Sequence, residues 1–564
     1  MLGYRCGATF AQEAQTMYSG LDDTGRWVLP EVLAEQAGRR PEATWIETTG
    51  GEALRFGQAF DEVGRVAAWF ASIGVQRGEH VAVMLPNSLD FVRVWLGLGR
   101  LGAVAVLLNT ELTGAFLAHP LSDCGATLAV VHGDLLAAFG EAARDVPAIG
   151  RVVVVGDAAG AAGDDPDGRV AAAAAALPAG RTTIGWGGWS AMPVHAGPMP
   201  TPQDIACVMY TSGTSGPAKG VLMPHAHCYL YGRGTIDAVA LSGDDRYYIV
   251  LPLFHANGLL MQLGATLIAG CTAIVRPRFS ASAWLDDVRR SGATVTNCLG
   301  ALAAFIVARP PTAHDRDHRL RIVNNAPNSP EHEAVFRERF GVPEVGSGFG
   351  MTEVNIPVWT RPGERHPGAA GRVYDRYFEV VVADPATDRP VPPGTIGEIL
   401  VRPKVPFGFM AGYHGRAQQT VEAWRNLWFH TGDAGTLTAD GVLTFVDRIK
   451  DCIRRRGENI SATEVEAAFA TMPGVAEVAA YAVPSDLRGG EDEVMLAVVP
   501  APGGAPTPEA VAAHAERVLP KFARPRFVSI VAALPKTATG KVQRAVLRRD
   551  GAAGAWDRER AGTS

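Results

Sequence analysis

The sequence predicts an α/β protein: a large N-terminal region of layered α/β subdomains, a small β-barrel-like subdomain, and a small α+β unit at the C-terminal end. Three observations carry this reading. Apolar runs such as Val81–Leu85 and Ala103–Leu108 alternate with segments whose apolar residues recur at helical spacing, and strands buried on both faces with helices between them build parallel sheets. From Phe378 to about Phe445 the pattern changes to short strands separated by Pro/Gly turns. Beyond about residue 450 a new unit begins. At 564 residues the chain exceeds one core and fits roughly three to four domain-sized units.

In chain order, two helical patterns between Leu29 and Phe70 flank a short apolar segment. After the strand Val81–Leu85, Pro86-Asn-Ser opens a helix with Phe91, Trp95 and Leu98 on one face, stopped by Gly102. Asn109-Thr110 is expected to start the next helix, and Thr127–Val131 is a third strand. Residues 157–180, with Gly-Asp-Asp-Pro-Asp-Gly and a run of alanines, read as an exposed low-complexity insertion. Pro193–Pro202 is a linker into the strand Ile205–Tyr210. Strands follow at Tyr247–Leu251, Thr272–Val275, Val295–Leu299 and Leu320–Val323, with a helix at 300–308. The last unit reads as helices near 463–471 and 508–519, strands near 478–483 and 494–499, and an apolar segment at 526–531.

Composition excludes several classes of function. Apolar residues make up 47% and charged residues 20%, with a net charge of −6, which gives no electrostatic case for nucleic acid or an anionic membrane as partner. Seven cysteines lie scattered without a CxxC pair or zinc spacing, a set expected as free thiols in a reducing compartment. No charged-then-apolar signal pattern opens the chain and no apolar run is long enough to span a bilayer. The expected location is the cytoplasm.

The stretch richest in chemistry is Tyr210-Thr-Ser-Gly-Thr-Ser-Gly-Pro-Ala-Lys219-Gly220. Gly213, Gly216 and Gly220 are expected to allow positive φ and bring backbone N–H groups toward one anion. Thr211, Ser212, Thr214 and Ser215 add hydroxyl donors, and Lys219 adds a positive charge. This is the chemistry of a polyphosphate cradle. It is not a Walker A loop, which needs a glycine five residues before Gly-Lys-Ser/Thr.

Four later segments accompany the loop: Gly348-Phe-Gly-Met-Thr352-Glu353; Trp428-Phe-His-Thr-Gly432-Asp433; Asp447-Arg448-Ile-Lys450-Asp451 continuing to Arg456-Gly457-Glu-Asn; and Leu534-Pro-Lys536-Thr-Ala-Thr-Gly540-Lys541. In this order and spacing the set closely resembles the adenylate-forming superfamily of acyl-CoA synthetases, luciferases and adenylation domains, from about residue 30 to 548. Phe254-His-Ala-Asn-Gly and the stretch around Arg309–Arg321 look most like acyl-CoA ligases of the crotonobetaine/carnitine–CoA ligase type.

The resemblance implies a reaction in which a carboxylate attacks the α-phosphate of ATP, pyrophosphate leaves, and CoA then displaces AMP. Screening anionic charge is the main task of such a site. It further implies a large domain over 1–449 and a small mobile domain over 450–564 hinged at Lys450. Lys219 and the loop residues Thr211, Ser212, Gly213, Thr214, Ser215 and Gly216 would hold the β- and γ-phosphates. Glu353 resembles the Mg²⁺ ligand, and Thr352 would donate to the α-phosphate. Gly348, Phe349, Gly350 and Met351 would line the nucleotide with Ala326 and Pro327; Phe349 keeps stacking on adenine where the family more often has Tyr.

Asp433 would accept both ribose hydroxyls, with Arg448 as a charged donor beside it. Lys541 would bridge the attacking carboxylate and the α-phosphate, while Lys536 of the same motif is expected to be structural. His255 resembles the gate between acyl pocket and thiol channel. Gly457, Glu458 and Asn459 resemble the loop lining the pantetheine channel, and Arg454–Arg456 would meet CoA phosphates after rotation. The implied partners are a small-molecule carboxylic acid, ATP, Mg²⁺ and CoA, with a downstream acyl-accepting enzyme or carrier protein as the alternative acceptor. A non-catalytic homologue would be expected to lack Lys219, Glu353 or Lys541, and all are present. No aspartate stands near Phe254 to pair an amino-acid ammonium. Small residues at Gly300, Ala301, Ala303 and Ala304 point to room for a medium-to-large hydrophobic or polycyclic acid.

Overall fold

The computed structural model describes residues 16–156, 175–211, 218–448, 452–455, 458–469, 471–484, 492–519, 523–536 and 542–561. The chain forms two compact units, Met1–Val380 with Val401–Phe429, and Val381–Leu400 with His430–Ser564.

The first unit holds two large sheets. One runs Gly412–Tyr413, Lys219–Pro224, Ile205–Thr211, Val104–Leu107, His80–Met84, Leu128–His132, Arg151–Val155 and Thr182–Gly185 in spatial order. From Ile205–Thr211 to Thr182–Gly185 its pairings are parallel, as the continuous apolar runs require. Ala82, Val106, Val131 and Val208 from these strands meet Phe139 and Leu117 in one core. The helix Leu89–Leu101 begins as the sequence suggests, with the Ser88 hydroxyl accepting from the Phe91 N–H, and ends on Gly102 at φ 83°.

The second sheet is ordered Glu344–Gly346, Ile322–Ala326, Val295–Leu299, Arg246–Ile249, Thr272–Val275, Thr44–Thr48 and Ala53–Arg55. All its pairings are parallel except the last. The helix His225–Val239 is buried along almost its whole length. Gly232 allows its closest approach, since a Cβ there would lie 2.9 Å from the backbone nitrogen of Ala265.

Several expectations shift. The helix expected from Asn109-Thr110 starts at Gly114, after an extended Thr113. The strand expected at Leu320–Val323 runs Ile322–Ala326, because its ladder with Val295–Leu299 continues through polar Asn324 and Asn325. Of the 157–180 insertion, residues 157–174 lie outside the described residues. The barrel-like region is also corrected. The strands Val442–Arg448, Phe429–Leu437, Gly397–Pro403 and Phe378–Ala383 follow one another in a sheet, with no closure among the described residues.

The rest of the second unit has the α+β pattern. Strands Val475–Pro484, Asp492–Pro500, Phe527–Ile530 and Trp556–Asp557 form a sheet. Helices Ala462–Ala467 and Pro508–Val518 supply Val465 and Val511 to a core shared with Leu496 and Val528.

Candidate functional site

The stretch expected to bind phosphate is flanked by two paired strands. Ile205–Thr211, paired in parallel on one side, returns antiparallel as Lys219–Pro224, with Thr211 opposite Lys219. Ser212, Gly213, Thr214, Ser215 and Gly216 lie outside the described residues. Directly opposed strand residues carry their side chains as neighbours, so the hairpin sets a hydroxyl and an ammonium side by side at its mouth.

The stem is tied down from behind. The Tyr210 hydroxyl donates to Asp123 at 2.9 Å, and the same carboxylate takes Arg416 at 2.6 Å. Gly220 is a correction: it lies in the strand without a positive φ. It is small because a Cβ would come within 2.9 Å of Val208 Cγ1 and 3.2 Å of the Tyr210 ring.

A second hairpin carries Thr352 and Glu353 between Gly348–Met351 and Asn355–Trp359. Gly350 is obligatory there, because a Cβ would stand 2.2 Å from the Asn355 carbonyl oxygen. The helix His225–Val239 fixes the turn. Tyr231 donates its hydroxyl to the Met351 carbonyl at 2.9 Å, and His227 Nε2 lies 2.9 Å from the Thr352 carbonyl oxygen. Asn355, at φ 68°, donates its amide to the His227 carbonyl at 3.0 Å. With the turn's carbonyls held on the helix, the Glu353 side chain stays 4% exposed, and Phe349 is buried in the adjoining strand.

Glu353 meets the strand pair that carries Thr211 and Lys219. Its Oε1 accepts from the Tyr413 hydroxyl at 3.0 Å and, at a longer 3.4 Å, from Thr211 Oγ1. The Nζ of Lys219 lies 4.4 Å from the centre of the Tyr413 ring. Burial pushes the Glu353 carboxyl above its usual range, against the opposing pull of Tyr413 and Lys219. Its second oxygen, Oε2, is buried without a hydrogen-bond partner among the described residues. A buried carboxylate oxygen left open suits one position on a hard cation. No group of three or more His, Cys, Asp and Glu side chains converges among the described residues.

The other side of the site lies beyond the carboxyl ends of Arg246–Ile249, Val295–Leu299 and Ile322–Ala326, the edge at which open parallel sheets hold ligands. Ala326 and Pro327 close the last of these strands, with Gly300 packed beside Pro327. His255 is solvent-accessible, and its ring lies 4.6 Å from that of Phe254. Desolvation by the surrounding protein still pulls its pKa below the ordinary imidazole value.

Two residues on, Asn257 opens a π-helix, Asn257–Gly264, a geometry frequent at functional sites. Asn257 Oδ1 accepts from Asn297 Nδ2 at 2.8 Å and from Gln262 Nε2 at 3.1 Å, and Asn297 Oδ1 takes the Tyr247 hydroxyl at 2.6 Å. The amide nitrogen of Asn257, which is half-buried, has no protein partner among the described residues. Leu299, Ala304 and Phe305 are exposed at this edge, whereas Ala303 points into the core and opens no space in the pocket.

In the second unit, Asp433 is buried and stands opposite Arg448 in the ladder of Phe429–Leu437 with Val442–Arg448. Thr431 donates to the Ile399 carbonyl at 2.7 Å, and the Gly432 N–H, at φ 68°, donates to Glu398 at 3.1 Å. Lys450, Gly457 and Lys541 lie outside the described residues, as do the side chains of Arg448, Glu458 and Asn459. Arg455 is committed elsewhere: it is 2% exposed, ion-paired to Glu493 at 2.6 Å and bonded to the Arg524 carbonyl. It does not face outward for CoA phosphates. Lys536 pairs with Glu477.

The sequence reading missed Tyr413, His227 and Asn297. Tyr413 follows a glycine in a two-residue strand, and nothing local marks it.

The model of the AMP-binding enzyme family matches residues 33–414, and that of the AMP-binding enzyme C-terminal domain matches residues 464–541. The chain is 32% identical over 521 residues to the sulfoacetate–CoA ligase of Cupriavidus necator, spanning 92% of this chain and 96% of that protein. It is 30% identical over 525 residues to a crotonobetaine/carnitine–CoA ligase of Escherichia coli, spanning 92% and 97%. Among solved structures, ATP-bound MatB from Rhodopseudomonas palustris is similar with a TM-score of 0.74 at 26% identity, over 92% of this chain and 98% of that one.

Proposed function

The chain belongs to the AMP-binding enzyme family and is an AMP-forming acid–CoA ligase, and from that premise we propose how its residues divide the reaction. The observation that carries the proposal is the convergence of Thr211, Lys219 and Tyr413 on a buried Glu353 with one oxygen unpartnered.

Lys219 and the hairpin mouth hold the departing pyrophosphate, so that negative charge leaves toward an ammonium. Magnesium, when bound, would be held by Glu353 together with phosphate and water oxygens, and would neutralise phosphate charge. Thr352, at the tip of the neighbouring hairpin, donates to the α-phosphate. Phe349 and the Ala326-Pro327 corner enclose the adenine, while Asp433 and Arg448 take the ribose. Lys541 meets the attacking carboxylate, after which rotation about Lys450 brings the Gly457–Asn459 loop to the pantetheine arm. In this reading 1–449 and 450–564 move as separate bodies. The cytoplasm is the proposed compartment, where buried thiols such as Cys124 and Cys298 stay reduced.

The acid is proposed to be medium-to-large, with an apolar body lying along Leu299 and Phe305 and His255 at the mouth of the thiol channel. Supplying a panel of acids with MgATP and CoA, and following pyrophosphate, AMP and thioester together, tests the assignment. Thioester formed in step with AMP from a bulky apolar acid supports it. Adenylate accumulating without thioester would move the acceptor from CoA to a partner protein, and turnover of small acids alone would reject the proposed substrate class.

A further inference from the structure

The buried Glu353 and the ammonium of Lys219 attract each other, yet they form no ion pair with one another among the described residues. Tyr413 stands between them. It belongs to the edge strand Gly412–Tyr413, whose register sets Tyr413 opposite Val221. Side chains two residues apart on a strand share a face, and a diagonal neighbour is within reach of an aromatic or long side chain. The ladder therefore delivers the ring of Tyr413 to Lys219, with Nζ 4.4 Å from the centroid. The hydroxyl at the far end of the same ring donates to Glu353 Oε1 at 3.0 Å.

The residue is locked in this pose. It is 7% exposed, and its backbone N–H donates to Thr420 Oγ1 at 3.0 Å. The next N–H, that of His414, donates to the Gly220 carbonyl at 2.8 Å.

We propose that Tyr413 is a positioning residue of the adenylation step, whose ring holds the Lys219 ammonium and whose hydroxyl holds Glu353, so that the two charges cannot collapse onto each other. Direct pairing would occupy both groups at once. The carboxylate would lose the open oxygen suited to a divalent cation, and the ammonium would be withdrawn from the polyphosphate. An aromatic ring attracts a cation through its face without neutralising it. The hydroxyl fixes one carboxylate oxygen and leaves the other free. The inference rests on the functional reading above, in assigning phosphate to Lys219 and the cation to Glu353.

The test is calorimetric titration of the full-length protein with ATP, with and without magnesium, alongside thermal melting of each variant. In the wild type magnesium tightens ATP binding. Tyr413→Phe keeps the ring and loses the hydroxyl, so the tightening by magnesium shrinks about tenfold, the scale of one hydrogen bond to a charged group, while magnesium-free binding is unchanged. Tyr413→Leu removes the ring as well, and magnesium-free ATP binding weakens because Lys219 falls onto Glu353. Adding Glu353→Gln to Tyr413→Leu removes the competing charge and restores magnesium-free binding, a rescue that a purely structural role for the ring would not produce. A Tyr413→Phe protein with wild-type melting and wild-type magnesium dependence overturns the inference, as does a double variant that fails to recover. A wild-type chain that binds no ATP with magnesium overturns the functional reading and this inference with it.

Discussion

The proposed nucleotide side and the proposed acyl side of this site are built from opposite materials. Around Glu353, one carboxylate oxygen has no hydrogen-bond partner among the described residues and one ammonium rests on a ring. Around Asn257, neutral groups hydrogen-bond in a chain from Tyr247 through Asn297 and Asn257 to the Gln262 amide nitrogen. The difference follows from what each side must do. Phosphate charge is the same for every acid, so fixed charges can be committed to it in advance. The acid brings its own carboxylate, and a formal charge buried beside its body would be costly without a partner. A neutral chain of amides gives orientation without that cost.

The largest effects are expected on the charged side, and they should not depend on the acid. Glu353→Gln should lower kcat/KM about 10²–10³-fold for every acid that the enzyme accepts, the scale of losing one well-placed electrostatic group. Pyrophosphate release over the acid panel checks this; a loss confined to some acids would erase the division between the sides. Lys541→Ala should slow adenylation by a similar ~10²–10³ and spare thioester formation from supplied acyl-adenylate. Equal losses in both half-reactions would argue against rotation about Lys450.

The two sides share a support, the helix His225–Val239, which packs on both the Glu353 hairpin and the π-helix. His225 lies at its start, 2% exposed, with Nε2 unpartnered among the described residues. Desolvation lowers its pKa from 6.5 to about 4. A histidine with a depressed folded pKa takes up a proton on unfolding, so its contribution is fully present above the unfolded value. It is lost as pH falls from about 6.5 toward about 4, amounting to about 3 kcal/mol at the low end. Thermal melts near pH 7 and pH 5 should show a smaller acid loss in His225→Leu than in the wild type. Because the support is common, ATP and acid binding should fail together as the pH falls. An unchanged acid limb in the variant would remove His225 as its cause.

Legibility of these parts in the sequence tracks how local their signals are. The turn that carries Thr352 and the buried Glu353 lies in a short motif whose Gly350 has a steric reason nearby, against Asn355. Tyr413 has no such local mark, since its partner Glu353 is 60 residues away and only the strand ladder joins them. Asn297 and Gln262 looked like polar interruptions of apolar runs, because the amide that satisfies each lies on another element or another turn. Asn324 and Asn325 hid the end of a strand because they are polar in an otherwise apolar run. The parallel sheets were legible from their apolar runs. Closure of the β-rich region was not, because an open sheet and a barrel share the same short strands and turns, and differ only in whether the edges meet.

The smallest expected effect is the one that most sharpens the contrast. Asn257→Asp keeps an oxygen to accept from Asn297 and Gln262 and replaces the amide nitrogen with a second oxygen, bringing a negative charge with it. The inner chain survives while the face offered to the acid changes from donor to acceptor. KM for the acid should rise about tenfold, the worth of one hydrogen bond reversed, with KM for ATP within about twofold of the wild type. The rise should be uneven across the panel, greatest for acids that carry an acceptor group on the body and least for plain hydrocarbon chains. That spread separates a wall that reads the substrate from a charge that serves all of them. A uniform loss across acids, or an equal rise in KM for ATP, would place Asn257 with Glu353 as common machinery, and the acyl side would then have to be sought farther along Leu299 and Phe305.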